Sequence, residues 1–292
     1  MRELISYLYI SCALIGCGPR PAEEAPQVVA TLPIIKLIVE PILGDLSVVT
    51  LLPDGASPHV YQPKPSDIRL LGDSQLIISA HEHIDGWSAT LSDTPHFALF
   101  ESVAEAESRG EGSEVLDPHY WSDPNSVLKA LPNLVNKLCS VFESKCPALR
   151  RRATAFSVRI DSMSSHLEEV FQSALEVGSS GPDGTVNTAC YITAQPFIDR
   201  YIDRFGLARL GPISQESEQE PTPASLAALL EKAEQRRCRS LIVQSALDNR
   251  AILNLAADLD WDVIEVDPLG VTATSYEDYL GSLAISLKPS GQ

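Results

Sequence analysis

The stretch QVVATLPIIKLIVEPILGDLSVVTLLPDG, residues 27–55, decides the fold. Val28 to Thr31 and Val48 to Leu52 are short, unbroken, β-branched apolar runs, the pattern of strands covered on both faces. Between them Pro33 to Leu43 is too long and too evenly apolar for a strand, and it opens with proline, which suits the first turn of a helix. Ser66 to Leu71 and then Leu76 to Ser79 continue the alternation into a βαβαβ unit, whose crossovers force a parallel sheet.

The same rhythm extends along the chain. Asp123-Pro124 reads as a helix N-cap with proline at the first helical position, followed by Val127, Leu131, Leu134, Leu138 and Val141 at helical spacing; Pro132 is expected to kink that helix. From Ala148 to about Val177, apolar residues three and four apart (Phe156, Ile160, Met163, Leu167, Val170, Ala174) predict one helix. About 30 residues at 1.5 Å each give a length of roughly 45 Å, enough to brace two lobes. Gly178 to Gly184 ends it, and strand-type runs then restart at Thr188 to Thr193, Leu207 to Ile213, Ser240 to Gln244 and Asp262 to Val266. The expected fold class is α/β: two Rossmann-like lobes with parallel sheets, joined by one long rigid helix, with a cleft between them. The expected boundaries are a leader at 1–16, a tether at 17–26, a first lobe at 27–147, the linking helix at 148–178 and a second lobe at 179–292.

Composition narrows the function. The 292 residues are 44% hydrophobic, enough for a sizeable core, and carry 22 basic against 39 acidic side chains. A net charge of −17 has the wrong sign for binding a phosphate backbone, so nucleic acid is not an expected partner. Leu4 to Ile15 is too short an apolar stretch to span a bilayer but suits a signal-peptide core. It ends in Leu14-Ile15-Gly16-Cys17, which resembles a bacterial lipobox in which Cys17 would be lipidated; an ordinary secretory leader with an incidental Cys17 is the alternative. Past the leader and Cys17, four cysteines remain: Cys139, Cys146, Cys190 and Cys238. In an exported chain they permit two disulfides, and Cys139 with Cys146 could close a small loop between consecutive helices, although buried thiols fit Cys190 and Cys238 equally well.

In open parallel sheets, ligands bind beyond the carboxyl ends of the strands. The polar residues there are His59, His81 and His83, Gln195, Gln244 and Asp267, with His119 added from Asp117-Pro118-His119-Tyr120-Trp121. Imidazoles and a carboxylate from separate loops suit a borderline divalent cation such as zinc.

Two segments carry a resemblance. Pro58-His59-Val60-Tyr61-Gln62-Pro63-Lys64-Pro65-Ser66-Asp67 and Asp117-Pro118-His119-Tyr120-Trp121-Ser122-Asp123-Pro124 closely resemble the two histidine motifs of the zinc and manganese ABC-transporter solute-binding proteins. Phe205-Gly206-Leu207, Glu220-Pro221-Thr222 and Asp267-Pro268-Leu269-Gly270 match later landmarks, so the resemblance runs from Gln27 to Leu287. It implies an extracytoplasmic receptor, a monomer held to the membrane by a lipid anchor at Cys17. Its implied cargo is Zn2+ or Mn2+, delivered to an ABC permease, with no catalysis.

The resemblance also implies a ligand set. His59 and His119 come from the first lobe and Asp267 from the second, with Asp117 and Asp123 as candidates to orient His119. Where many members carry a third ligand, His or Glu, this chain has Gln195, a weaker neutral donor. Either Gln195 is a weak fourth ligand, or water or Glu216 or Glu218 completes the shell, or the site binds something else. His83 matches a histidine of some members, and His81 with His83 could form a secondary metal-capturing pair. The His-rich loop often found before the second motif is missing, since Ser92 to Glu114 holds only His96. An adhesin on the same scaffold is the alternative function. An exported metallohydrolase is disfavoured because His81-Glu82-His83 lacks the HExxH spacing and there is no GxSxG element.

Overall fold

The computed structural model describes residues 25–107, 117–178, 190–214, 222–245 and 250–287. Cys17, the expected leader and most of the expected tether, and Glu216, Glu218 and Glu220 lie outside these residues.

The first lobe is built from β1 (Val28–Ala30), α1 (Pro33–Leu43), β2 (Val48–Thr50), α2 (Pro65–Asp73), β3 (Leu76–Ser79), α3 (Glu82–Asp85), β4 (His96–Ala98), α4 (Leu99–Glu107) and α5 (Pro124–Val141). Then α6 (Cys146–Gly178) runs for 33 residues, beginning two residues before the expected start. The second lobe holds β5 (Cys190–Thr193), α7 (Asp199–Arg204), β6 (Ala208–Pro212), α8 (Pro223–Arg236), β7 (Ser240–Gln244), α9 (Arg250–Asp258), β8 (Asp262–Val266) and α10 (Tyr276–Leu287). Each lobe has one parallel four-stranded sheet, in order β2-β1-β3-β4 and β6-β5-β7-β8. Both orders reverse direction at their second strand, between β1 and β3 and between β5 and β7. Such switch points leave a crevice beyond the strand ends.

The local reasons are plain. Pro33 starts α1, and seven of its eleven residues are buried, so the helix is held by tertiary packing rather than by propensity. Its carboxyl end, where carbonyls lack helical partners, receives Arg152 from α6: Nε donates to the Ile42 carbonyl at 2.6 Å and Nη2 to the Leu43 carbonyl at 2.7 Å. In α5, Asp123 caps the first turn by accepting from the amides of Asn125 and Ser126, and Pro132 lies within the helix.

One apolar cluster runs through both lobes. It joins α1 (Ile34, Ile38), α5 (Leu134, Leu138), α6 (Phe156, Ile160), α7 (Tyr201, Ile202) and α10 (Tyr279, Leu283). A smaller cluster around Ile192, Leu241 and Val243 fills the other face of the second sheet. Gly270, at φ +64°, sits where the loop after β8 meets α1; a Cβ there would lie 2.8 Å from Leu37 Cδ1, so only glycine allows this approach without displacement.

Disulfides join Cys139 to Cys146, between α5 and α6, and Cys190 to Cys238, which ties the start of β5 to the residue two before β7. The second bond decides between the two readings of that pair. Among the described residues no helix is long and apolar enough to cross a membrane.

Candidate metal site

The loops at the strand ends converge on a small cleft between the lobes that is partly open to solvent. Its polar wall consists of His59, from the loop after β2, His119, from the turn before α5, Gln195, just after β5, and Gln244, at the end of β7. Pro58, Ile84, Trp121, Phe197, Pro268 and Leu269 supply the apolar wall. The two imidazole centres are 6.2 Å apart.

Both rings are oriented from behind. Asp117 accepts from the His119 backbone N–H at 3.0 Å and from its ring Nδ1 at 2.8 Å, through the same Oδ1. A carboxylate can only accept, so Nδ1 carries a proton, and in the neutral ring the lone pair is then on Nε2. His59 is held neutral to low pH: burial, with the nearby His119 second, pushes its pKa down to about 4. A hydrogen bond between its ring and the backbone of His83 acts in the opposite direction, favouring the protonated ring as a donation to a carbonyl does. The loop carrying His59 is pinned by Trp87, whose Nε1 donates to the Pro58 carbonyl at 3.2 Å.

The other expected residues stand apart from the wall. Asp267 follows β8, and its neighbours Pro268 and Leu269 line the cleft, but Asp267 itself is not among the lining residues. Its Oδ1 accepts from the Leu269 amide at 3.1 Å and its Oδ2 from the Thr272 amide at 3.1 Å, closing its own loop. His81 is the N-cap of α3: its Nδ1 accepts from the His83 amide at 3.1 Å, and its ring stands edge-on to Phe100. Burial, followed by His83, lowers the His81 pKa. His83 is exposed, with its ring 5.0 Å from that of His81, and neither ring lines the cleft. Asp123 is spent on capping α5. Among the described residues, no three His, Cys, Asp or Glu side chains are grouped around one point as a metal shell. The cleft presents two imidazoles and two amides.

Sequence reasoning did not find the framework behind this wall. Buried Asp85 accepts from the amides of Ala80 and His81 and from the Thr31 hydroxyl, fixing the end of β3 beside that of β1; burial raises its pKa. The His119 turn is held from the second lobe, where Arg200 reaches the Asp117 carbonyl and the Pro268 carbonyl accepts from Trp121. Asp85 and Arg200 carry no mark of these contacts in the sequence; only the folded chain assembles them.

A family profile described as zinc-uptake complex component A, periplasmic (ZnuA), matches residues 28–288. The chain is 24% identical over 277 residues to SloC of Streptococcus mutans, named a metal ABC transporter substrate-binding lipoprotein, across 88% of this chain and 87% of the relative. It is 23% identical over 265 residues to PsaA of Streptococcus anginosus, named a manganese ABC transporter substrate-binding lipoprotein, across 84% and 82%. The solved structure of TroA from Treponema pallidum, described as a periplasmic zinc binding protein, superimposes with a TM-score of 0.73 at 19% identity, covering 90% of this chain and 97% of that one. At that identity the superposition speaks for the fold, while the profile spans nearly all of the two lobes. The chain belongs to the zinc-uptake complex component A family, whose named relatives here are substrate-binding components of metal ABC transporters.

Proposed function

We propose that this chain is an extracytoplasmic receptor that captures a divalent transition-metal ion, zinc in preference to manganese, and delivers it to an ABC permease. The observation that carries the reading is the convergence of His59 and His119 from separate loops on one interlobe cleft, the first kept neutral by burial and the second held as the Nδ1–H tautomer by Asp117. A cation needs neutral imidazole, and each ring is prepared to present a lone pair. The relatives' names give the same class of cargo but different metals.

The preference for zinc rests on donor chemistry. Imidazole nitrogen suits zinc, whereas manganese favours anionic oxygen, and the described residues bring no carboxylate to the wall. Gln195 and Gln244 supply neutral carbonyl oxygens as third and fourth donors. Asp267 immediately precedes Pro268 and Leu269 of the wall, and its Oδ1 accepts only one amide, that of Leu269, so it would join the shell by a movement of its loop. His81 and His83 would serve as an outer capture pair. In this reading Cys17 carries the lipid anchor, the chain acts as a monomer outside the cytoplasm, and it performs no chemical step.

A competition titration of zinc and manganese against a chelator of known strength, on metal-stripped protein, tests the reading. One tight equivalent of zinc, lost in both His59→Ala and His119→Ala, is expected. Binding no stronger than that of a generic acidic surface, or unchanged in both variants, would overturn it.

A further inference from the structure

The arginine on α7 that faces the first lobe has no part in the ligand set. Arg200 Nε donates to the Asp117 carbonyl at 3.1 Å, and Nη1 donates to Ser126 Oγ at 3.1 Å, across 83 and 74 residues of sequence. Ser126 Oγ in turn donates to Asp123 Oδ2 at 2.8 Å, so the contact reaches the cap of α5. Asp117 is thus gripped at both ends: its carbonyl by the second lobe, and its carboxylate by His119 of the first. A guanidinium presents several donors in a fixed plane, so two acceptors on different residues fix the position of the segment rather than merely attract it.

We propose that Arg200 is a positioning residue that makes the orientation and tautomer of His119 depend on the docking of the two lobes. With Arg200 in place, Asp117 Oδ1 stays within reach of His119 Nδ1, and Nε2 faces the cleft as an acceptor. With the lobes apart, the Asp117 carbonyl loses its donor, the 117–119 turn loosens, and the imidazole populates both tautomers, one of which turns an N–H toward the cleft. Docking and ligand presentation then become one event. The consequence for metal affinity rests on the receptor reading above; the effect on the ring does not.

The test is made on the full chain, metal-stripped and labelled with 15N-histidine. Long-range 1H–15N spectra report which ring nitrogen of each histidine bears the proton, and His119 is assigned by the signals lost in His119→Gln. Wild type is expected to show His119 protonated at Nδ1. Arg200→Ala is expected to add a population protonated at Nε2, and to weaken zinc roughly tenfold, within the range for loss of an outer partner of a ligand. Arg200→Lys keeps the charge but reaches only one acceptor, and should partly restore the wild-type ring. If Arg200→Ala does not fold, Ser126→Ala removes one acceptor with no change of charge and should shift the ring in the same direction by less. A purely structural arginine would lower the melting temperature and leave the ring unchanged. Identical tautomer populations in wild type and every folded variant overturn the proposal. A shifted ring in a chain whose wild type binds no zinc upholds the positioning role and sinks the receptor reading instead.

Discussion

Trp121 of the first lobe donates its indole N–H to the Pro268 carbonyl of the second at 2.9 Å, in a contact closed to solvent. The same tryptophan offers its own carbonyl to the Tyr276 hydroxyl at 2.8 Å. The residue two places after His119 is therefore bonded to the residue after Asp267 and to the start of α10. This places the lobe contact within a few residues of the cleft.

Trp121→Phe keeps most of the apolar volume and removes the donor. A buried carbonyl left unpaired costs about 1–3 kcal/mol, so unfolding in urea should shift to lower midpoint with little change in slope. An unchanged midpoint would mean that the Pro268 carbonyl finds another donor.

Zinc should stabilise the wild type and not the ligand variants. At a hundredfold excess over the dissociation constant, binding to the native state alone contributes about 2.7 kcal/mol, read as a raised melting temperature. His119→Ala should abolish that rise. Gln195→His places an imidazole where the wall has an amide, and should tighten zinc more than manganese in the chelator competition.

Two groups give stability opposite dependences on pH. His59, lowered to about 4 by burial, leaves the folded chain binding fewer protons than the unfolded one between pH 4 and 6.5, so its contribution is lost as pH falls through that window. Asp199 is raised to about 6 by burial, with Arg209 and a hydrogen bond from Thr193 opposing. Its folded form binds more protons, so its contribution falls as pH rises from about 4 to 6. Each effect is about 3 kcal/mol over its full window. Relative to wild type, His59→Ala should gain stability at pH 4.5 against pH 7, and Asp199→Asn should lose it; urea midpoints at the two pH values decide. Changes of the same sign in both variants would refute these assignments.

The disulfides should differ in weight. Loss of Cys190–Cys238, spanning 48 residues, should cost about 4 kcal/mol in the chain-entropy account, and loss of Cys139–Cys146, spanning 7, about 2. Double alanine variants compared by calorimetry would show the order.

The alternation of strand and helix was legible because buried parallel strands are written as continuous apolar runs. Val28–Ala30, Pro33–Leu43 and Leu76–Ser79 stand where the sequence predicts them, within a residue. β4 escaped that reading: His96–Ala98 is a three-residue edge strand, half-buried, with no apolar run to announce it. α10 carries Tyr276, Tyr279, Leu280, Leu283 and Leu287 at helical spacing, but it follows the last strand and no alternation points to it. In the site, local motifs lead to His59 and His119, because a histidine directly after a proline within each motif is a sequence-level feature. The clamp behind them is invisible in sequence. Arg200 bonds a backbone carbonyl and a serine hydroxyl, acceptors that any segment could provide, and only the folded chain selects which.

The apolar cluster that passes through both lobes bears on how the chain is made. Ile34 and Leu37, near the beginning of the described chain, share it with Tyr279, Leu283 and Leu287 at its end. During synthesis from the amino terminus, the first sheet can pair its strands early, but its helices keep an uncovered apolar side until α10 arrives. A chain cut short before Tyr276 would therefore leave the first lobe sticky as well as the second unfinished, and quality control would meet one defective molecule rather than a sound half joined to a broken one.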